Sequence, residues 1–375
     1  MGNSPRPLPH IRELDAVRGL AALMVFFHHV CFTSIDPAGS GKGVYLLYNL
    51  SHYGAYGVDL FFVLSGFLIT SLLIKDRPST TFYRDFYWKR ALRILPLYIL
   101  SLLALLLFVQ HSGRYVLLSV LFLANFSWLF HIQGTGVLWT LAIEEQFYLL
   151  WPSVVRKRSV PQLRHWALAI VIGCILLRLI AACFGHHNYY FTFFRCDGLA
   201  IGALLACWYE RRQTTPPNTR REHTLIAAAI LTGTLLFPLT SFLFPSPAAI
   251  ALRAALSQTA VTLLCAGAIA FLIANAGKPW LGFFRSRLLT FFGLISYAMY
   301  MTHLFILSAY DHLRGPLQPG DLTAFTMRLV TVLGLTILLC LLTRYLIELP
   351  AISLRRFVLT KPASKAEIAS SLVTQ

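Results

Sequence analysis

Charged residues are scarce in this sequence. Asp, Glu, Lys and Arg together make up 13% of its 375 residues, whereas hydrophobic residues make up 57%. A soluble domain averages about 25% charged residues, so a water-facing globule explains this composition poorly. The apolar residues also form long runs instead of alternating with polar ones, which indicates segments that lie in a membrane.

Acidic residues are scarcer still: 15 Asp and Glu stand against 32 Lys and Arg, which gives a formal net charge of +17. In a soluble protein this excess would suggest nucleic-acid binding. Here, however, Lys and Arg fall in short segments between apolar runs, which is the positive-inside pattern of membrane proteins. We therefore predict a lipid bilayer as the surrounding medium and no nucleic-acid partner.

Paired cysteine motifs are also absent. The seven cysteines lie within or beside apolar runs, with no C-x-x-C pair and no spacing typical of a secreted disulfide framework. We interpret them as small core hydrophobes and predict no metal site.

What the sequence does contain is a series of apolar runs of about 20 residues. Because lipid offers the backbone no hydrogen-bond partners, such runs must be helices. We predict an all-α, polytopic transmembrane helical bundle, with a cytoplasmic N-terminal segment (1–13), a membrane domain (14–347) and a cytoplasmic tail (348–375). The ten predicted spans lie near 14–33, 54–74, 91–110, 138–155, 165–184, 192–209, 224–244, 250–276, 288–310 and 323–347.

Two apolar segments each allow two structural interpretations. The first run contains Asp15, Arg18 and His29 and is followed by no clear cleavage site, which favours a retained span over a signal peptide. The apolar segment Tyr115–Phe130 decides the topology, because a full crossing there would put every later basic loop outside. We predict that it re-enters or lies at the outer face, so that all basic loops and both termini are cytoplasmic.

Arg18 and His29 are polar residues inside a predicted span. A charged side chain at the centre of a span costs at least about 2.5–3.5 kcal/mol, which makes it a functional candidate. The two residues are three helical turns apart, so they share one helix face with roughly 16 Å between them, while His28 points elsewhere. The alternative is that Arg18 reaches the headgroups and His29 only bonds a neighbouring helix.

Further acidic candidates occur in later spans. Asp59 lies about one turn inside the outer end of the second span, where it could orient the imidazole of His29 or serve only as a shallow helix cap. Glu144 and Glu145 point about 100° apart, so we expect at least one to face a polar interior. Asp197 follows Arg195 closely, and this pair could be functional or form structural ion pairs with other helices.

The third span begins with Arg90 and Arg93, which occupy one helix face at i, i+3. Two guanidinium groups that face the same way can hold phosphate oxygens, although anchoring at the cytoplasmic surface is the alternative. Later in the chain, Tyr300 and His303 share a face of the ninth span.

Together these segments resemble the acyltransferase 3 family of membrane O-acyltransferases, which modify bacterial surface polysaccharides and some small glycosylated molecules. Two departures from the family pattern are mild: Ala16-Val17 replaces the usual Gly-Leu, and Thr140 replaces a usual Ser. The segments that carry the resemblance are Leu14–Gly19 with the Arg-x10-His spacing to His29, Gly57–Phe67 with Ser65, Arg90-x-x-Arg93, Trp139–Tyr148, Arg195-x-Asp197-Gly198, and Ser296–His303.

The resemblance implies transfer of an acyl group, usually acetyl, from cytoplasmic acyl-CoA to a sugar hydroxyl at the inner cell membrane, with no permanently bound cofactor. It marks Arg18 and His29 as essential and Arg90 and Arg93 as a functional pair. Many relatives carry an additional extracytoplasmic esterase-like domain, which we do not expect here.

A mechanism follows from these expectations. Arg90 and Arg93 would hold the phosphates of the donor, whose long arm would pass Arg18 and present its thioester to His29. Neutral His29 would act as general base on the acceptor hydroxyl, with a histidine-bound acyl intermediate as the open variant. Glu144 is a further catalytic candidate, and Ser65, Glu145, Arg195, Asp197, Tyr300 and His303 are additional candidates.

Two other functions compete with catalysis. The first is a multi-span exporter of a glycolipid or small solute, with buried charges along its path. The second is a non-catalytic membrane partner, in which the charges only join helices. Transport predicts paired repeats with broken helices, and no such pairing is evident in the sequence.

Overall fold

The computed structural model describes residues 11–32, 42–132, 134, 136–185, 189–215, 219–242, 247–315 and 321–356, and within these residues every regular element is helical. Most of the predicted N-terminal segment and of the predicted C-terminal tail lies outside the described residues. The helices are α1 Arg12–Phe32, α2 Lys42–His52, α3 Gly57–Asp76, α4 Phe82–Phe108, α5 Gly113–Val120, α6 Leu138–Lys157, α7 Val160–Cys183, α8 Thr192–Arg195, α9 Asp197–Thr214, α10 Thr219–Phe242, α11 Pro247–Ala274, α12 Arg287–Arg314, α13 Leu322–Thr343 and α14 Leu349–Ser353. Short 3₁₀ segments occur at Tyr53–Tyr56, Ala124–Phe130 and Pro279–Arg285, and a π-turn occurs at Arg344–Glu348.

The predicted multi-pass helical architecture is confirmed. Among the described residues, seven helical stretches are long and apolar enough to cross a membrane, and they contain α1, α3, α4, α7, α11, α12 and α13. The other three predicted spans correspond to α6, α9 and α10, each of 18 or more residues. The number of ten crossings therefore stays a prediction. The predicted span 192–209 is divided, because the chain turns at Cys196 between α8 and α9.

The segment Tyr115–Phe130 does not form one long helix. Its first part belongs to the eight-residue helix α5, Phe122 then adopts a left-handed backbone with φ 54°, and the 3₁₀ segment Ala124–Phe130 follows. Eight helical residues extend only about 12 Å, far less than the thickness of a bilayer. The re-entrant or interfacial placement of this segment stays a prediction.

Glycines allow two helix pairs to approach very closely. A Cβ on Gly293 of α12 would lie 2.0 Å from the Asp15 carbonyl oxygen of α1. A Cβ on Gly66 of α3 would lie 2.0 Å from the Leu199 carbonyl oxygen of α9. Small residues at such crossings are the usual means of close packing in membrane bundles. The pairs α1/α12 and α3/α9 thus hold Arg18, His29, Asp59 and Asp197 on neighbouring helices.

Contacts between connecting segments bring the basic loops to the end of the bundle at which α1 begins. We call this the basic end, and the opposite end, where α1 finishes, the far end. The contacts are Arg156 to the Ser79 carbonyl at 3.1 Å, Arg212 to the Ala274 carbonyl at 3.3 Å, Arg285 to the Glu13 carboxylate at 3.2 Å, and an electrostatic contact between Arg77 and Glu210.

Candidate active site

A cavity lies between α1, α3, α4, α6 and α12. Its arginines, Arg18, Arg90 and Arg93, lie on the parts of α1 and α4 nearer the basic end, whereas Val58 of α3 and Thr140 of α6 lie on the parts nearer the far end. We call it the inner cavity. Six of the twelve predicted site residues line it: Arg18, Ser65, Arg90, Arg93, Glu144 and Tyr300.

His29 lies further along α1 and is paired with His303 of α12. The His303 Nδ1 atom lies 2.8 Å from the Met299 carbonyl oxygen, so it donates a proton there and leaves Nε2 as an acceptor. The His29 Nδ1 atom lies 3.1 Å from that Nε2 and 3.0 Å from the Val25 carbonyl oxygen. Both contacts require His29 Nδ1 to carry the proton, which puts the lone pair of His29 on Nε2. This is the tautomer that a general base needs on its reactive nitrogen.

Asp59 does not orient His29, and this part of the prediction is wrong. Its Oδ1 atom lies 3.2 Å from the Arg195 guanidinium and accepts a hydrogen bond from the Gln258 side chain. Because Asp59 is completely buried, its charge needs these partners more than it needs a neutral imidazole. Residues of α1 and α12, not a carboxylate of α3, set the tautomer of His29.

Arg195 and Asp197 form separate ion pairs with other helices, as the structural alternative predicted. Arg195 is 2% exposed, pairs with Asp59 of α3, and packs with its Cζ 4.4 Å from the centre of the Tyr189 ring. Asp197 lies 2.9 Å from Arg178 of α7 and accepts a hydrogen bond from Thr259 of α11. These pairs join four helices.

Arg178 and Gln258, which complete these buried pairs, were not among the predicted site residues. Both lie within predicted spans, and a strongly polar residue in a span was the available signal. Arg328 of α13 was not predicted either, and its Nε and Nη2 atoms lie 2.9 and 2.6 Å from the Asp311 carboxylate. Arg328 also donates to the Val30 carbonyl of α1, one residue beyond His29, at 3.0 Å.

Arg90 and Arg93 face the inner cavity but differ in their partners. The Arg90 guanidinium lies 2.7 Å from Glu145 and 3.7 Å from Glu144, and its Cζ lies 3.6 Å from the centre of the Tyr148 ring. Arg93, by contrast, has no side-chain hydrogen bond or ion pair to any described residue. Arg90 is thus held between two carboxylates, while Arg93 offers its donors to the cavity.

Arg18 also faces the inner cavity, but it is partly neutralised. Its Nη1 atom lies 2.8 Å from the Asp15 carboxylate, one turn earlier on α1. The remaining guanidinium donors are available to a ligand. Arg18 and Arg93 therefore make this cavity suitable for an anion.

A hydrogen bond between α6 and α12 borders the inner cavity. Thr140 donates to the Val137 carbonyl at 2.9 Å, so it accepts from the Tyr300 hydroxyl, 2.7 Å away. The Tyr300 and His303 ring centres are 6.2 Å apart. Tyr300 thus links the wall of the inner cavity to the histidine pair.

A second cavity, which we call the outer cavity, lies on the other side of this hydrogen bond. It is lined by aromatic rings together with Ser127 and His131. Gly136 also lines it, and a Cβ added to Gly136 would lie 3.9 Å from the side chain of Leu304, the residue after His303. Trp139 lines the outer cavity while its neighbour Thr140 lines the inner one, so the start of α6 lies between the two cavities.

The aromatic residues of the outer cavity are arranged around Tyr190. Its ring is stacked on that of Trp128, with 5.7 Å between centres and 9° between planes, and meets the Trp139 ring edge-on at 5.1 Å. Trp128 is 61% exposed. Within the described parts of the chain, no group of three or more His, Cys, Asp or Glu side chains is arranged to hold a metal ion.

Comparison with known proteins identifies relatives of the chain. The protein named "Putative peptidoglycan O-acetyltransferase YrhL" of Bacillus subtilis (strain 168) is 28% identical over 59% of this chain and 37% of its own length. "Putative O-acetyltransferase SACOL0978" of Staphylococcus aureus (strain COL) is 25% identical over 81% of this chain and 52% of its own length. "O-acetyltransferase OatA" of Staphylococcus aureus (strain NCTC 8325 / PS 47) is 27% identical over 54% of this chain and 35% of its own length.

The chain spans about a third to a half of the length of these curated relatives. No solved structure matches it. A family model with the description "Acyltransferase domain" (Acyl_transf_3) matches residues 11–345. The match confirms the resemblance that the sequence motifs indicated and includes every residue discussed above except Glu348 and those beyond it. The chain belongs to this acyltransferase family.

Proposed function

We propose that this protein is a membrane O-acyltransferase that moves an acyl group, acetyl in the simplest case, from acyl-CoA to a sugar hydroxyl, with His29 as general base. The observation that carries the proposal is that Tyr300, in the wall of the cationic inner cavity, lies next to the His29–His303 pair, while the aromatic outer cavity adjoins the same wall at Trp139 and Thr140. The names of the relatives support the acetyl group and the oxygen acceptor.

The inner cavity is suited to the donor. An acyl-CoA has a phosphate-bearing nucleotide and a long flexible arm that ends in the thioester. Arg93 and Arg18 can receive the phosphates or the polar arm, while Arg90, held by Glu145, supports the wall between them. Entry from the basic end fits a cytoplasmic donor, with the protein in the inner membrane and both termini in the cytoplasm.

The outer cavity is suited to the acceptor. Sugar rings present faces of C–H groups, which pack well on the electron-rich faces of aromatic rings, and their hydroxyls need polar partners nearby. The exposed face of Trp128 supplies the first feature, and Ser127, His131 and Tyr190 supply the second. An acceptor held there would approach the histidine pair from the side opposite the donor.

The chemistry requires one base. The acceptor oxygen attacks the thioester carbonyl as His29 Nε2 takes the hydroxyl proton, and a tetrahedral intermediate forms. Its collapse breaks the carbon–sulfur bond, and the CoA thiolate leaves with the proton from His29. Tyr300, at the border of the inner cavity, is a candidate to stabilise the oxyanion, provided that its hydroxyl turns from Thr140 to the substrate. In the variant mechanism, His29 carries the acyl group between the two partners.

A matched pair of histidine variants tests the proposal. Purified His29→Ala should lose transfer of labelled acetyl from acetyl-CoA to membrane glycans by about 10²-fold or more, the contribution expected of a general base. The control is His28→Ala, since His28 is on the same helix but bonds the Ser51 carbonyl at 3.0 Å. Equal activity of His29→Ala and the parent protein would disprove the role of His29.

A further inference from the structure

A third cavity lies at the basic end, between α7, α9 and α10, and none of these helices lines the inner cavity. Four arginines and one glutamate line it. They are Arg164, Arg211, Arg212, Arg221 and Glu222. The excess of positive charge indicates an anionic ligand.

The positive charge at the rim is combined with leucines deeper in the bundle. On α7, Leu168 follows Arg164 by one helical turn, and on α10, Leu225 follows Arg221 by the same spacing. Both leucines are open to the surroundings, with 45% and 54% of their surfaces exposed. On α9, which runs the other way, Leu204 precedes Arg211, so the same order from charged rim to apolar wall is repeated on three helices.

The arginines of this cavity differ in whether they have partners within the protein. Arg212 is used by the protein, because its Nε lies 3.7 Å from Glu222, its Nη2 donates to the Ala274 carbonyl at 3.3 Å, and its Cζ lies 5.7 Å from the Trp208 ring. The glutamate is thereby neutralised. Arg164 and Arg211 are exposed and have no ion pair within the described residues. Their charges remain for a ligand.

We propose that this cavity binds a membrane phospholipid with an anionic headgroup. Arg164 and Arg211 hold the phosphate, with Arg221 beside them, and the acyl chains lie along Leu168 and Leu225. A phosphate that is attached to two long apolar chains matches both the charged rim and the exposed leucine wall, whereas a free phosphate matches only the rim. Trp208 lies at the level where indole rings commonly mark the membrane surface.

The test measures binding by native mass spectrometry and by thermal stability of the purified full-length protein in a neutral detergent. The ligands are phosphatidylglycerol, phosphatidylcholine with identical chains, and inorganic phosphate. We expect phosphatidylglycerol to bind and raise the unfolding temperature, and the other two to do so only weakly. An equal effect of phosphatidylcholine would overturn the role of charge, and an equal effect of phosphate would show a free-anion site instead.

Paired substitutions locate the site. Arg164→Gln combined with Arg211→Gln should weaken phosphatidylglycerol binding roughly tenfold, since each basic residue near a membrane surface contributes modestly to anionic-lipid binding. Arg164→Lys with Arg211→Lys should retain binding and shows that the positions tolerate change. The control, Arg84→Gln with Arg287→Gln, removes two basic residues outside the cavity and should leave binding intact. Unchanged binding in the Gln pair would overturn the assignment.

Discussion

His303 Nε2 lies 3.1 Å from His29 Nδ1, and each imidazole also contacts a backbone carbonyl one helical turn earlier. The two carbonyls, of Met299 and Val25, fix both rings in orientation and tautomer. His303 thus acts on His29 as a carboxylate does in other acid–base sites, but without introducing a charge into the apolar interior.

The first prediction concerns this pair. His303→Ala should lower kcat by about tenfold or more without changing KM for acetyl-CoA, because His29 keeps the Val25 carbonyl but loses its second acceptor, which holds the ring in place and stabilises it when it takes up the proton. His303→Gln should restore much of the rate, since an amide oxygen can accept the same hydrogen bond. Steady-state kinetics measure both variants. If His303→Gln and His303→Ala have equally low kcat values, the hydrogen-bond acceptor at position 303 does not contribute to catalysis.

The second prediction separates the two arginines of the inner cavity. In Arg93→Ala, an acetyl-CoA concentration about tenfold higher should be needed for the same rise in unfolding temperature. The unfolding temperature of the ligand-free protein should change little. Arg90→Ala should instead destabilise the fold by about 2–4 kcal/mol, because it leaves the largely buried Glu145, which is 16% exposed, without its partner.

The double variant Arg90→Met/Glu145→Met is the control for this interpretation. It removes both charges and should recover most of the lost stability. A loss of acetyl-CoA protection in Arg90→Ala at unchanged stability would contradict the division of roles.

The third prediction tests the buried pair Arg195–Asp59. Arg195→Met should destabilise the protein by about 3–5 kcal/mol, because Asp59 is completely buried and would keep only the Gln258 side chain as a partner. Asp59→Asn should cost less stability and should leave kcat of the folded fraction within a few-fold of the parent protein. A loss of 10²-fold in kcat for Asp59→Asn would restore Asp59 as a catalytic group.

The fourth prediction concerns the outer cavity. Trp128→Ala should raise KM for the glycan acceptor several-fold without changing KM for acetyl-CoA, because it removes an exposed stacking surface. Trp280→Ala is the matched control, since Trp280 is 57% exposed but does not line this cavity. The same change in both variants would indicate a general effect on membrane anchoring.

The fifth prediction uses the close helix contacts. Gly66→Ala should strongly reduce the yield of folded protein, because the added Cβ would overlap the Leu199 carbonyl oxygen at 2.0 Å. Gly173→Ala on α7 has nothing within 4 Å and should be tolerated. Size-exclusion profiles of the two variants give the comparison.

The helices themselves were predictable because their signal is local. A run such as Leu95–Val109 can satisfy its backbone hydrogen bonds in lipid only as a helix. The observed α4 begins well before this run only because charged residues continue the helix at the basic end. The turn at Cys196 was not predicted, although it is flanked by Arg195 and Asp197, because the position of a short interruption within an otherwise apolar run depends on the partners that these charges find on other helices.

The residues of the candidate site could be predicted from the sequence, but the residues with which they pair could not. Arg18 and Glu144 were found because each is costly inside a membrane, and Arg93 because it shares a helix face with Arg90. Which carboxylate would pair with which cation depends on helix crossings that no local pattern encodes. Asp59 was therefore assigned to His29, whereas the α3/α9 crossing brings it to Arg195.

The position of His29 near the far end of α1, beyond the arginines of the inner cavity, has an energetic consequence. In the proposed reaction an acyl group moves outward while the proton of the acceptor hydroxyl moves inward to CoA, and His29 lies on both routes. The acyl group is transferred formally as a cation and replaces a proton of the same charge that moves the other way, so the overall exchange is electroneutral. The membrane voltage would then neither drive nor oppose acetylation at equilibrium, and the only source of free energy would be the thioester bond itself.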